Sequence, residues 1–187
     1  MEQPLPVNHA ADRRGFLRWT VSAVVAACTP MPAWAAALGT GKRRLSFSNL
    51  HTGENLTAVY WSNGTYERNA VDEINHLLRD FRTGDVHPID LSLLDLLHVL
   101  QRKVKTQSPF QVISGYRSPA TNAKLASASH GVARRSYHMK GMAIDVALDD
   151  RKLSALRDAA LSLKAGGVGY YPKPGFIHVD VGPVRRW

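Results

Sequence analysis

The feature that most restricts the fold of this chain is a carboxylate in apolar company. In the run Met142-Ala143-Ile144-Asp145-Val146-Ala147-Leu148 only Asp145 is polar, and such a run reads as a largely buried strand. A buried charge has to be paired or bound to a metal. His138 precedes Asp145 across the Gly141 turn, and a second strand-like run, Phe176-Ile177-His178-Val179-Asp180-Val181, carries another histidine. Alternate residues of a strand share a face, so His178 and Asp180 point one way while Ile177, Val179 and Val181 point the other. Asp145 shares its face with Ala143 and Ala147, small neighbours that leave room around it. If the two strands pair, Asp145 and His178 lie side by side. Two histidines and one aspartate are three protein ligands, the number a catalytic zinc uses while keeping a fourth position for water.

The pattern His138-x-x-Gly141-x-Ala143-x-Asp145, followed late in the chain by a strand histidine, resembles the zinc signature of the LAS metallopeptidases, named for lysostaphin, the D-Ala-D-Ala metallopeptidases and sonic hedgehog. Within that superfamily, Ser114-Gly115-Tyr116-Arg117-Ser118, Gly166-Gly167-Val168-Gly169-Tyr170-Tyr171 and Phe176-Ile177-His178-Val179-Asp180 resemble the YcbK/MepK murein endopeptidases. The resemblance runs from about Arg43 to Trp187. It implies one Zn2+ per chain on His138, Asp145 and His178, with Arg117 binding the scissile carbonyl or its oxyanion. Ser136 and Tyr137 are then expected near the metal, in contact with substrate or simply packed.

The order of elements predicts an α+β fold. Arg44–Leu50 and Leu56–Trp61 alternate polar and apolar residues around His51-Thr52-Gly53-Glu54 and read as a β-hairpin. Ile74, Leu77, Leu78 and Phe81 recur at helical spacing and predict a helix from about Ala70 to Arg82, ended by Gly84. Asp90 can cap a second helix whose leucines form a wide apolar face. Phe110–Ile113 is a short buried strand that delivers Arg117 to a loop at its end, where scaffolds present working residues. A helix from Ser118-Pro119 to about Ser129, another over Leu153–Leu163, and strands Gly166–Tyr171 and Phe176–Val181 around Pro172-Lys173-Pro174-Gly175 complete the chain. Helices are expected to pack around a small, largely antiparallel sheet that carries the zinc site.

The formal net charge is +9, and residues 1–35, with three arginines and two acids, account for little of it. So basic a surface favours polyanions, nucleic acid or an anionic wall matrix. The leader argues against nucleic acid. Asp12-Arg13-Arg14-Gly15-Phe16-Leu17-Arg18 resembles a twin-arginine export signal, and the apolar stretch Trp19–Cys28 is too short for a transmembrane span. Ala33-Trp34-Ala35 reads as a small-x-small cleavage site, which divides the chain into a signal peptide (1–35), a linker (36–42) and a catalytic domain (43–187). Val25-Ala26-Ala27-Cys28 also passes as a weak lipobox, so lipid anchoring at Cys28 is the alternative to a soluble exported protein. Cys28 is the only cysteine, so no disulfide is expected and a metal site has to be built from His and Asp.

The expected function is that of a periplasmic or wall-facing, monomeric zinc endopeptidase acting on the stem peptides of peptidoglycan. A D-Ala-D-Ala carboxypeptidase or dipeptidase, and a non-catalytic zinc-containing peptidoglycan-binding module, are the alternatives. Many LAS enzymes carry a Glu or His two or three residues before the last zinc histidine. Phe176 and Gly175 occupy those positions here, and neither accepts a proton. Asp180, on the His178 face, stands as either the replacement base or an acceptor that orients a zinc ligand.

Overall fold

The computed structural model describes residues 33–128 and 133–187. The twin-arginine motif, the apolar leader, Cys28 and the end of the third predicted helix at Ser129 lie outside the described residues. Eight strands form one sheet: β1 (Arg43–Asn49), β2 (Asn55–Ser62), β3 (Thr65–Tyr66), β4 (Phe110–Ser114), β5 (Ala143–Ala147), β6 (Gly167–Tyr171), β7 (Phe176–Asp180) and β8 (Arg185–Arg186). Their order is β3-β2-β1-β4-β5-β7-β6-β8. Only the β1–β4 and β6–β8 pairs are parallel. Among the described residues four α-helices accompany the sheet: α1 (Arg68–Leu77), α2 (Leu91–Lys103), α3 (Pro119–Ala128) and α4 (Leu153–Leu163). The chain is α+β, with a mostly antiparallel open sheet as anticipated.

The core forms where alternation sends apolar residues to one face. Ile144 and Val146 of β5 and Ile177 and Val179 of β7 are buried with Leu93, Leu94, Leu97 and Leu100 of α2 and Leu156 of α4. Asp90 caps α2, its side chain accepting from the Ser92 amide at 2.8 Å, which secures one of the N–H groups a helix start leaves open. Truncating Leu94, which is fully buried, is expected to cost about 2–5 kcal/mol in chemical denaturation.

A buried polar knot ties the hairpin to α2. Asp95 accepts from Arg43 at 2.8 Å, from the Tyr60 hydroxyl at 2.9 Å and from the Tyr66 hydroxyl at 2.9 Å. Burial, reinforced by Asp95, raises both phenol pKa values, that of Tyr66 to about 12. Asp95→Ala leaves the Arg43 guanidinium buried and uncompensated, and is expected to destabilise the fold by about 3–5 kcal/mol.

The first helix is shorter than its apolar spacing predicts. It ends at Leu77, and Phe81 leaves the helix to stack on His51 with ring centroids 3.8 Å apart. The reason lies in the hydrogen bonds. The Leu78 carbonyl, which would have accepted from the Arg82 amide, accepts from the Tyr116 amide instead, while Arg82 N–H goes to the Asp80 carboxylate. A short side chain competing for backbone donors ends helices in this way. Ahead of β1, Ala33–Leu38 forms a short 3-10 helix whose Ala35 and Leu38 pack on Val99 of α2. Among the described residues no helix is long and apolar enough to cross a membrane.

Candidate metal centre and active site

Strand register assembles the site. Asp145 of β5 stands directly opposite His178 of β7, and Gly169 of β6 stands opposite His178 on its other side. This face of the sheet is the one turned away from Ile144 and Val179, so the residues that alternate out of the core meet here.

His138 arrives from a different direction. It sits in a one-turn 3-10 helix, Tyr137–Lys140, opened by the Ser136 hydroxyl accepting from the His138 amide at 3.3 Å. Gly141 closes the turn with φ of 65°, and a Cβ there would collide with the Pro88 carbonyl, so only glycine fits. The turn is clamped to the loop after β4 from both sides. The His138 carbonyl accepts from the Arg117 amide at 3.2 Å, and the His138 Nδ1 lies 2.7 Å from the Gly115 carbonyl.

His138, Asp145 and His178 are all buried, and they form a potential metal-binding cluster among the described residues. His138 Nε2 and His178 Nδ1 are 3.2 Å apart, and they lie 3.2 and 2.9 Å from Asp145 Oδ1. A tetrahedral zinc with ligand bonds of about 2.0–2.1 Å sets its donor atoms about 3.3 Å apart, so the three atoms fit one ion. The surroundings also choose the tautomers. A carbonyl oxygen can only accept, so His138 Nδ1 carries the proton and Nε2 offers its lone pair. The Asp180 carboxylate, 2.9 Å from His178 Nε2, likewise can only accept, so Nε2 carries the proton and Nδ1 offers its lone pair. Hydrogen-bond partners on the far side of each ring are the usual companions of metal-binding histidines.

Electrostatics follow the same arrangement. Burial alone would raise the Asp145 pKa, but the positive charge and hydrogen bonds that protonated His138 and His178 would bring to it outweigh that and hold the carboxyl far below its ordinary value, the bias toward the anion that a metal ligand needs. Burial would lower the His178 pKa, and the Asp145 and Asp180 carboxylates overcome that and raise it. The Arg117 guanidinium reaches to 3.7 Å from Asp145 Oδ2 and 3.3 Å from the Ser114 hydroxyl. Its buried Nε has no hydrogen-bond partner among the described residues.

Above these residues lies a cleft of about 430 Å³, lined among others by Arg117, Arg135, Tyr137, Tyr171, Phe176 and Trp187. Ser136 is also on its wall. Asp180 is not. It lies behind His178, fully buried, with both oxygens engaged by hydrogen bonds. Tyr171, Phe176 and Trp187 escaped the reading of the sequence. The Trp187 ring lies 5.2 Å from the His178 ring, and its Nε1 donates to the Tyr171 hydroxyl at 2.6 Å. A Cβ on Gly169 would come within 2.7 Å of the Trp187 indole, so the glycine of β6 is the seat of that wall. A glycine on an otherwise apolar strand does signal close approach of another group, but not which one. His51 and Glu54 stay outside the cleft, and Glu54 pairs with Arg79 at 2.9 Å.

The loop that carries Arg117 depends on Asp80. Its carboxylate accepts from the Ser118 amide at 2.9 Å and the Arg82 amide at 3.0 Å. Burial would raise its pKa, and hydrogen bonds from Thr121, Ser118 and Arg82 lower it instead. A carboxyl depressed in the folded state lends stability that is present above its unfolded pKa, about 3.9, and is lost as pH falls below that value. Asp80→Ala is therefore expected to lower stability by about 1.5–3 kcal/mol at pH 7. In urea titrations the difference from the parent should shrink below about pH 4.

The family described as peptidoglycan L,D-endopeptidase MepK matches residues 37–187. This chain belongs to that family. The peptidoglycan L,D-endopeptidase MepK of Escherichia coli strain K12 is 44% identical over 177 residues, 95% of this chain and 97% of its own length. The Shigella flexneri protein of the same name matches to the same extent. A Haemophilus influenzae relative, named a probable peptidoglycan L,D-endopeptidase MepK, is 41% identical over 146 residues, 78% of each chain. The MepK family match takes in every residue of the cleft and of the His138–Asp145–His178 cluster.

Proposed function

We propose that this protein is a zinc-dependent peptidoglycan L,D-endopeptidase that hydrolyses the peptide cross-links of the wall. The observation that carries the reading is the convergence of His138 Nε2, Asp145 Oδ1 and His178 Nδ1 beneath an open cleft, in a chain of the MepK family. These three side chains would hold the zinc, whose chemistry is to acidify a water and polarise a carbonyl. Arg117 is the catalytic cation. Its fixed charge and forked donors suit a developing oxyanion, and its side chain lines the cleft beside the three ligands. Ser136 and Tyr137 contact the peptide beside the metal. Residues 1–35 direct export by the twin-arginine route, so that the enzyme meets its substrate outside the cytoplasm.

Asp180 acts as a positioning residue rather than a base. A general base must reach the proton it takes, and the ring of His178 separates this carboxylate from the cleft. Burial would raise its pKa, but hydrogen bonds from His178, Arg185, Gly182 and Gly167 hold it well below the usual carboxylate range. Asp180→Asn is expected to weaken zinc binding by about 10–100-fold, as loss of such partners does. A variant that binds zinc like the parent but turns over slowly would return the base role to Asp180.

Substrate class is tested with purified muropeptide dimers of defined linkage, resolved by mass spectrometry. Dimers joined through an L,D bond should be split to monomers, while dimers joined only through a D,D bond persist. Cleavage confined to a terminal D-Ala-D-Ala would support the carboxypeptidase reading instead.

A further inference from the structure

The last strand of the chain, β8, reaches the metal centre through a single side chain. Arg185 places Nη1 3.0 Å from Asp180 Oδ1 and Nη2 2.6 Å from Asp180 Oδ2, a two-pronged pairing that fixes the plane of the carboxylate as well as its charge. Oδ1 also accepts from the Gly167 amide at 3.1 Å and the Gly182 amide at 2.8 Å. Among the described residues Oδ2 has two partners, Arg185 and the His178 Nε2 at 2.9 Å. The backbone thus anchors one oxygen, and Arg185 alone keeps the other aimed at the histidine.

The guanidinium is itself held in place. Its carbon lies 5.1 Å from the centre of the Tyr137 ring and 5.0 Å from that of the Trp187 ring, distances at which a cation is drawn to an aromatic face. Tyr137 is the neighbour of the ligand His138, and Trp187 lies against the ring of the ligand His178. Pairing of β8 with β6 sets Arg185 opposite Gly167, where no side chain obstructs the approach to Asp180.

We propose that Arg185 is a positioning residue of the metal centre: its two Nη groups orient the Asp180 carboxylate, which in turn fixes the tautomer and angle of His178. This rests on the zinc reading above. Lysine in its place keeps the charge and loses the fork, so the two substitutions Arg185→Lys and Arg185→Gln separate geometry from charge. Arg186, exposed on the same strand, supplies the control.

The test is zinc affinity of the purified protein and its variants by competition with a chromophoric chelator, joined to long-range 1H–15N correlation of the histidine rings in the metal-free state. The expected result is about tenfold weaker zinc binding for Arg185→Lys and a larger loss for Arg185→Gln. Arg186→Ala should stay within about twofold of the parent, since it touches no ligand partner. The His178 ring should pass from protonation at Nε2 to a mixture of tautomers. Should Arg185→Gln fail to fold, Arg185→Lys decides the matter. Variants that melt earlier but bind zinc like the parent, with the His178 tautomer unchanged, would make Arg185 a mere strand clamp and overturn the inference. A parent that binds no zinc would overturn the metal reading itself.

Discussion

Replacing His138 with alanine is expected to abolish cross-link hydrolysis, with kcat/KM falling at least about 10³-fold, equivalent to roughly 4 kcal/mol of transition-state stabilisation. Bound zinc should fall well below one equivalent in the same preparation. The loss is steep because three ligands are the minimum set for such a site, and because His138 is the one ligand that does not come from the sheet. Asp145 and His178 are paired across neighbouring strands, and two donors on one face cannot by themselves enclose an ion. The fold should survive. The clamp to the Arg117 loop uses the His138 carbonyl and the turn itself uses the His138 amide, both of which alanine retains, while the side-chain contacts to Gly115, Asp145 and His178 are lost. Thermal melting and zinc content measured beside the kinetics check the account. Undiminished hydrolysis by the variant would remove zinc from the mechanism.

Arg117→Ala is the second large effect, with an expected fall in kcat of about 10²–10³-fold, the usual loss when one oxyanion donor is removed. Its signature differs from that of His138. Zinc content should remain at one equivalent, because the guanidinium is no ligand and reaches Asp145 only at 3.7 Å. Arg117→Lys should recover a small part of the rate, since an ammonium restores the charge without the fork. A variant whose KM rises at constant kcat would show that Arg117 binds the substrate equally in ground and transition states. If zinc is lost together with the rate, the pairing with Asp145 is the more important role.

Most of the cluster was legible in the sequence because it depends on periodicity. Asp145 interrupts an apolar strand, His178 alternates with Ile177 and Val179, and the pairing of those strands, once granted, brings the two side by side. Helix α4 and the cap of α2 at Asp90 followed from equally local signals. What escaped is set by contacts distant along the chain. The end of α1 depends on Tyr116 taking the Leu78 carbonyl, a partner that no helical spacing reveals. Asp180 stood as either base or orienter because its four donors come from Gly167, His178, Gly182 and Arg185. Strand β8 has two residues, too few for any alternation. Its role had to be read from the glycines of β6 that make room for Arg185 and Trp187.

The most direct test of the central claim is digestion of purified, cross-linked muropeptide dimers by the protein, with chelator and with zinc restored after chelation. Monomers that appear with the metal, vanish with the chelator and return on adding zinc are the predicted result. Dimers that stay intact while one equivalent of zinc is bound would contradict it, leaving a zinc-containing domain that binds peptidoglycan without cutting it.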